Sequence, residues 1–448
     1  MKKIRFIHAA DIHLGSFLHI SGEVPEHIQN IARTATMDAF RRICDAAIEY
    51  KVDFIVISGD LYDREARSVS AFRFFVEECR RLNTAGIPVF IVAGNHDPLR
   101  EQPDLFELPE NVKVFGGNKP EIYPVLGEDG RAIARVVGQS YIGRSESRRI
   151  HLGYQVPNDG IWNIGILHTQ LDPGNSNYVP CSLSELNNKN IHYWALGHIH
   201  KLQILSQSEP VVVYSGMPQG RDFGEEGRGG CILVELDPLM GASLSIIPTA
   251  SVVFKRVEIN IDQDSDNVPI IIPDLEEMIH SVADELLTKG YDTSESIPIL
   301  NIRDNSPVGY VVQWIISGRG IIHDALMEQR DEVSNDITQQ LRNRYNNLHP
   351  FLWSESVEIR TRKVLPDIRH FEHNPLFREM DKVIKSCFEN VEIKKEIMKA
   401  VGSIWDERGD HENIEDHKFL LDEQTYKEIV QSASQLVLEK LLEEEVRK

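Results

Sequence analysis

The chain has 448 residues, 41% of them hydrophobic, and a formal net charge of −21. This length exceeds that of one ordinary compact domain, so two or three domains are expected. It contains no run of about 18 apolar residues, and the apolar stretch after Lys3 breaks at His8, too early for a secretion signal. Five widely spaced cysteines without a Cys-x-x-Cys pair favour reduced thiols in a cytoplasmic protein.

The first 250 residues alternate between predicted strands and helices. Buried strands are predicted at Ile4–Ala10, Phe54–Ser58 and Val89–Ala93, and each runs directly into a polar motif. Apolar residues recur at helical spacing over Thr36–Tyr50 and Ser70–Leu82. Later strand-like runs are Trp162–His168, Tyr193–Gly197, Val211–Ser215 and Cys231–Leu236. This alternation predicts an α/β fold in which chemistry collects at the carboxyl ends of strands.

The rest of the chain predicts a smaller α+β unit followed by helices. A polar break at Asp262–Asp266 places a boundary near residues 250–265. Beyond it we predict helices at Leu275–Leu287 and Ile322–Asn343 and strands at Ile297–Ile302, Val311–Ser317 and Ser356–Lys363. We therefore divide the chain into a catalytic domain (1–255), a capping domain (256–370) and a C-terminal helical region (371–448). For the last region, docking of a partner and simple packing onto the body stay equally open.

The acidity of the chain lies mostly in its C-terminal part. Residues 1–250 contain 24 basic and 30 acidic side chains, whereas residues 251–448 contain 24 and 39. Within the first part, a local basic cluster is formed by Arg131, Arg135, Arg144, Arg148 and Arg149. Two interpretations of this cluster stay open, a solvated face and a track that binds phosphates.

Five polar motifs in the first 200 residues supply seven side chains suited to two metal ions, and one further histidine. They are Asp11-Ile12-His13, Gly59-Asp60, Gly94-Asn95-His96-Asp97, His168 and Gly197-His198-Ile199-His200. A mixed oxygen and nitrogen ligand set without thiolates suits Mn²⁺, Fe²⁺ or Zn²⁺ better than Ca²⁺. Because a two-metal site orients a phosphate ester and lowers the pKa of a bound water, the pattern predicts a metal-dependent phosphoesterase.

The five motifs resemble those of the calcineurin-like metallophosphoesterases. Within that family the chain is most similar to the SbcD-type DNA repair nucleases, including the bacterial YhaO-like group. Tyr214–Pro218 and Phe223–Glu225 extend this similarity beyond the motifs. The resemblance implies an α/β fold in which a β-sandwich is flanked by helices, with a small α+β capping domain and C-terminal helices.

The resemblance also implies a role for each candidate site residue. One ion would be held by Asp11, His13, Asp60 and His200, and the second by Asp60, Asn95, His168 and His198, so that Asp60 bridges the two. His96 lies outside the ligand set and would donate a proton to the leaving alkoxide or stabilise the charged phosphorane. Asp63 would orient His96 through the other ring nitrogen. The alternative for Asp63 is a helix N-cap or turn residue.

By this resemblance the protein is expected to be a Mn²⁺-dependent DNA exonuclease and endonuclease in DNA repair, acting by attack of a metal-bound hydroxide. The chain has no G-x-x-x-x-G-K-[ST] motif, so the resemblance implies a separate coiled-coil ATPase of SbcC type, and also a homodimer. Two alternatives stay open. The same metals could act on nucleotides or phosphoproteins, or the chain could be a weakly active DNA-end scaffold for the ATPase.

Overall fold

The computed structural model describes residues 1–63, 68–101, 107–171, 177–187, 189–262, 268–290, 297–300, 306–364 and 375–406, and parts of 426–440. The chain divides into two compact units. The first comprises residues 1–318 and 324–361, and the second residues 319–323 and 362–448. All five polar motifs belong to the first unit.

The strands and helices are numbered along the chain. The strands are β1 (Ile4–Ala9), β2 (Phe54–Ser58), β3 (Val89–Val92), β4 (Val112–Val114), β5 (Glu121–Leu126), β6 (Ala132–Gly138), β7 (Trp162–His168), β8 (Tyr193–Gly197), β9 (Gln203–Ser206), β10 (Val211–Tyr214), β11 (Gly230–Asp237), β12 (Gly241–Pro248), β13 (Val252–Asn260), β14 (Gly309–Arg319) and β15 (Phe351–Arg362). The helices are α1 (Glu26–Glu49), α2 (Val69–Thr84), α3 (Leu183–Leu186), α4 (Ile272–Lys289), α5 (His323–Glu328), α6 (Arg330–Tyr345), α7 (Pro375–Glu389) and α8 (Val391–Asp406).

Two six-stranded sheets form a sandwich. Their strand orders are β12-β11-β1-β2-β3-β4 and β5-β6-β7-β8-β10-β9. Strands β1, β2 and β3 are parallel to one another, and so are β7 and β8. Phe6 and Phe54 of the first sheet share one buried core with Ile164 and Tyr193 of the second. This arrangement confirms the predicted α/β fold class, and it brings the carboxyl ends of several strands to one edge.

Helices cover the outer face of the first sheet. Successive side chains of a strand point to opposite faces, so one set packs against the second sheet and the other set against the helices. Ile7 and Ile55 pack outward against Phe40 of α1 and Phe75 of α2. The N-cap of α2 is Ser68, whose Oγ accepts a hydrogen bond from the backbone N–H of Ala71 at 3.0 Å. Capping and burial thus fix α2 close to its predicted bounds.

Helix α1 begins ten residues before its predicted start. The additional turns bury Ile28, Ala32 and Ala35, which are spaced by four and three residues along one face of the helix. These side chains pack against Phe254 and Trp353, which belong to a different sheet. The extension was missed because this apolar face contacts strands that are distant in sequence.

That third sheet has the order β13-β14-β15. Strand β13 was not predicted, although it pairs in parallel with β14 along its whole length. The helix predicted at Ile322–Asn343 is wrong in detail, because the backbone leaves the helical conformation at Gln329 and separates α5 from α6. Ile299 forms only an isolated bridge, and residues 301–302 of the strand predicted there lie outside the described residues. The division into three domains stays a prediction.

In the second unit, α7 and α8 confirm that the C-terminal part is helical. Tyr426 and Val430 are buried against Cys387, Ile397 and Met398, so a later segment packs on this helix pair. All five cysteines are free thiols, as predicted. Among the described helices, none combines the length and the apolar character needed to cross a membrane.

Candidate metal centre

All seven predicted ligands follow or end strands of the two sheets. Asp11 and His13 come directly after β1, Asp60 after β2 and Asn95 after β3, and His168 is the last residue of β7. His198 and His200 follow β8. The ligands therefore come from the carboxyl ends of three neighbouring strands in one sheet and two in the other.

Four of these residues have backbone conformations that side chains other than glycine rarely adopt. The φ angles are 50° for Asp11, 47° for His13, 50° for Asp60 and 97° for His198. Such residues cost on the order of 1–3 kcal/mol each and persist only where the surroundings hold them. Here the backbone N–H of His13 donates to the carbonyl of Asp60 at 3.1 Å, tying two of the strained loops together.

Two glycines allow the loops to approach this closely. A Cβ placed on Gly94 would lie 2.2 Å from Oδ1 of Asp60. A Cβ on Gly197 would lie 1.9 Å from the carbonyl oxygen of Ser58. Real Cβ atoms do not come so near, so any side chain at either position would displace the ligand loops.

The first ligand group consists of Asp11, His13 and His200, whose ligand atoms lie within 4.8 Å of one another. The Nε2 atoms of His13 and His200 are 3.4 Å apart. Two nitrogens bound tetrahedrally at about 2.1 Å from one ion would be separated by roughly this distance. Nδ1 of His13 must donate to the ionised carboxylate of Asp63, because a carboxylate only accepts. Its Nε2 is therefore available to a metal.

The second ligand group is centred on His168. Its Nε2 lies 2.9 Å from Oδ1 of Asn95 and 3.3 Å from Oδ2 of Asp60, while its Nδ1 donates to the carbonyl of Ser58 at 2.9 Å. Nδ1 of His198 lies 3.2 Å from the same oxygen of Asn95. When His168 is neutral, its hydrogen bond to Ser58 places the proton on Nδ1. The lone pair of Nε2 then points towards the oxygens of Asn95 and Asp60. Such a cluster fits a shared divalent cation.

The charge balance of the cluster agrees with this fit. Burial lowers the pKa of His168, but the charges of Asp60 and Asp11 outweigh it and raise the pKa to about 9. The protein without metal therefore favours a positive charge at this position. Asp11 belongs to a ligand group with His13 and His200 and to one with Asp60 and His168. The bridging role of Asp60 stays a prediction.

Asp63 joins the first ligand group to His96. Its Oδ1 accepts from Nδ1 of His13 and from Nδ1 of His96, each at 2.8 Å. Its Oδ2 accepts from Oγ of Ser16 at 2.6 Å and from Nη1 of Arg221 at 2.8 Å. Burial raises the pKa of the Asp63 carboxyl, but the hydrogen bonds from His13 and His96 lower it well below its usual range. Asp63 does not cap α2. It contacts His96, and its role in orienting that histidine stays a prediction.

His96 differs from the ligand histidines in its exposure. Its side chain is 45% exposed, whereas that of His13 is 1% exposed and that of His168 is buried. The hydrogen bond to Asp63 raises the pKa of His96 despite partial burial. A histidine held at one ring nitrogen and open to solvent can exchange a proton with a substrate.

Sequence reasoning missed two residues of the site, Glu225 and Arg221. Nδ1 of His200 donates to Oε1 of Glu225 at 2.6 Å, which leaves Nε2 of His200 for a metal. Arg221 contacts Glu225 and Asp63 together. Glu225 had appeared only within a segment that carried the family resemblance. A carboxylate partner for a ligand histidine is expected in general, but sequence does not say which one.

Most of the basic cluster is neutralised by ion pairs. Arg135 forms a bidentate pair with Asp159 at 2.6 and 2.8 Å. Arg148 pairs with Glu146, and Arg149 pairs with Glu185. For these three arginines the structure favours a paired, solvated face over a phosphate track.

The sandwich carries two groups of side chains that could hold metal ions. Residues 4–202 match the family model of the calcineurin-like phosphoesterases. This part of the chain is similar to the calcineurin-like phosphoesterases.

Three relatives and one solved structure illustrate what the chain is similar to. An uncharacterized metallophosphoesterase, YhaO of Bacillus subtilis, is 38% identical over 235 residues, which are 52% of this chain and 57% of that protein. The DNA double-strand break repair protein Mre11 of Methanocaldococcus jannaschii is 27% identical over 50% of this chain and 60% of its own. Mre11 of Thermoplasma acidophilum is 24% identical over 79% and 87%. A dimetal phosphatase from Danio rerio matches with a TM-score of 0.32 and 13% identity, covering 52% of this chain and 93% of its own. The match thus spans less than two thirds of the first two relatives.

Proposed function

We propose that the protein is a DNA nuclease that hydrolyses phosphodiester bonds with two divalent metal ions, and that these ions are Mn²⁺. The observation that carries this proposal is the meeting of two ligand groups with His96, which Asp63 links to His13. The similarity to proteins named for DNA double-strand break repair supports DNA as the substrate.

The residues present fit two ions by their chemistry and by their spacing. Asp11, His13 and His200 would hold one, Asn95, His168 and His198 the other, and Asp60 would bridge them. When bound, two such ions orient a phosphodiester, lower the pKa of a water and stabilise the charge that develops. The strained loops and the glycines keep the ligands in place before any ion arrives.

In this proposal His96 supplies the proton for the leaving oxygen. Asp63 holds Nδ1 of His96, so the ring is fixed while its exposed side faces the substrate. The raised pKa of His96 increases the fraction that carries a proton near neutral pH. Asp63 would act as a positioning residue for His96, because it touches the histidine and not the substrate.

The partners and the setting are part of the same proposal. We place the nuclease in DNA repair in the cytoplasm, as a homodimer that works with a coiled-coil ATPase of SbcC type docked on the C-terminal helices. The names of the Mre11 relatives support the repair role. A weakly active DNA-end scaffold for the same ATPase is the non-catalytic alternative.

One observation favours a second candidate, a phosphoesterase that acts on nucleotides or phosphoproteins. Arg135, Arg148 and Arg149 are each paired with a carboxylate, so they offer less attraction to a long polyanion than the sequence suggested. A small phosphate ester needs only the metal site itself.

Cleavage of end-labelled linear DNA with Mn²⁺ separates these possibilities. We expect the wild type to shorten the DNA and His96→Ala to lose about 10²–10⁴-fold of the rate, with both ions still bound by metal analysis. His27→Ala, an exposed histidine of α1, is the matched control. A wild type that spares DNA in the presence and absence of the ATPase but hydrolyses a small phosphodiester would overturn the nuclease proposal in favour of the second candidate.

A further inference from the structure

Arg221 lies between two carboxylates of the metal centre. Its Nη1 donates to Oδ2 of Asp63 at 2.8 Å, and its Nη2 donates to Oε1 of Glu225 at 2.6 Å. Nε of Arg221 adds a contact to Oε2 of Glu225 at 3.1 Å. The three side chains are only 16%, 17% and 10% exposed, so water does little to screen these charges.

Each of the two carboxylates holds one histidine of the first ligand group. Asp63 accepts from Nδ1 of His13 at 2.8 Å, and Glu225 accepts from Nδ1 of His200 at 2.6 Å. The guanidinium of Arg221 is therefore connected, through these two carboxylates, to both imidazoles. The Nε2 atoms of these imidazoles face each other at 3.4 Å. The two carboxylates that orient these rings are therefore linked by a single shared cation.

The second ligand group does not use this device. His168 is oriented by the backbone carbonyl of Ser58, and His198 contacts Asn95. The loss of Arg221 would therefore affect the two groups unequally.

Arg221 is also anchored by its own backbone. Its carbonyl accepts from the backbone N–H of His19 at 2.8 Å, and its N–H donates to Glu225 at 2.8 Å. Arginine is suited to this position because its planar fork reaches two acceptors in fixed directions, which the point charge of a lysine does not.

We propose that Arg221 is a positioning residue that fixes Asp63 and Glu225, and through them sets the metal affinity of the Asp11, His13 and His200 group. This inference rests on the metal site of the proposed function. Without Arg221 the carboxylates of Asp63 and Glu225 repel each other and rotate. The imidazoles of His13 and His200 then lose the orientation in which their Nε2 atoms face each other. The site at His168 keeps its supports.

The test is a titration of the full-length protein, stripped of metal, with Mn²⁺ alone, followed by calorimetry and by electron paramagnetic resonance. We expect two bound ions in the wild type. In Arg221→Leu one of them should bind about 10–100-fold more weakly, as for other losses of an outer partner, and the spin coupling between the ions should disappear at intermediate Mn²⁺. Arg135→Leu removes a similar bidentate ion pair at Asp159 and should leave both affinities unchanged.

Further outcomes keep the inference separate from the proposed function. Arg221→Lys keeps the charge and should remain weakened at the same site; wild-type affinity in this variant would overturn the role of the fork. If both sites of Arg221→Leu bind Mn²⁺ with wild-type affinity, or if both are weakened equally, the positioning role is overturned. A wild type that binds fewer than two ions would overturn the proposed function itself, and the inference with it.

Discussion

Replacement of Gly94 by alanine tests whether the site depends on the close approach of its loops. The added Cβ would lie 2.2 Å from Oδ1 and 2.9 Å from the backbone N of Asp60. The carboxylate of Asp60 is only 1% exposed, so it cannot swing into water, and its Oδ1 already accepts from the N–H of His96 at 2.9 Å. The side chain of Asp60 must therefore move from its present position, and the loops that carry Gly94 and Asp60 must separate.

The expected effect has two parts. Overpacking of a close contact costs about 1–3 kcal/mol, so the free energy of unfolding of the metal-free protein should fall by that amount. An ion present at a hundredfold excess over its dissociation constant stabilises the native state by about 2.7 kcal/mol. If Asp60 of the Gly94→Ala protein no longer binds metal, this stabilisation by the ion should also be lost at each site to which Asp60 contributes a ligand.

Urea unfolding with a chelator and with excess Mn²⁺ measures both parts. Gly143→Ala is the matched control, because a Cβ there meets no atom within 4 Å. The control should match the wild type in both conditions. The reasoning is refuted by a Gly94→Ala protein that has wild-type stability and the full stabilisation by Mn²⁺, since Asp60 would then have room or would not be a ligand.

Two further predictions concern buried groups around the site. Burial lowers the pKa of His8 to about 3, despite its hydrogen bond with Leu196. Since the unfolded chain takes up this proton below about pH 6.5 and the native state does not, the stability should decrease as the pH falls from 6.5 towards 3. His8→Asn should make this decrease shallower by up to about 1.4 kcal/mol per pH unit in urea unfolding, and an unchanged slope would contradict the assignment. The hydroxyl of Tyr141 donates to the carbonyl of His168 at 2.9 Å inside the core. Tyr141→Phe should lower the free energy of unfolding by about 0.5–1.5 kcal/mol. Equal denaturation midpoints of Tyr141→Phe and the wild type would show that this hydrogen bond does not stabilise the native state.

Local sequence pattern was enough to predict the strands that carry the ligands. The apolar runs that precede Asp11 and Asp60 and end at His168 are short, contain β-branched residues and are bounded by polar motifs, and these features together favoured buried strands. The family resemblance then grouped the ligands, and the structure brings them together in space. Their roles as ligands stay a prediction until metal binding is measured.

Features that depend on distant partners could not be predicted. The first turns of α1 bury Ile28 and Ala32 against strands more than 200 residues away. Arg221 has no motif of its own, because its importance arises only where Asp63 and Glu225 meet. The sequence of the basic cluster was equally uninformative, since Arg135 of β6 pairs with Asp159, which is 24 positions away. In each case tertiary contact, and not local propensity, decides the outcome.

The order of the strands has a consequence for the growing polypeptide during synthesis. His13 and His200 are separated by 187 positions, and β1 lies between β2 and β11, which ends at Asp237. Domains generally fold as units while the chain emerges from its N-terminal end. A nascent chain that stops before residue 237 lacks the complete strand that flanks β1 on one side, and one that stops before residue 200 also lacks the candidate ligand His200. The full set of candidate ligands and the strand that supports β1 are therefore present only once more than half of the chain has been made.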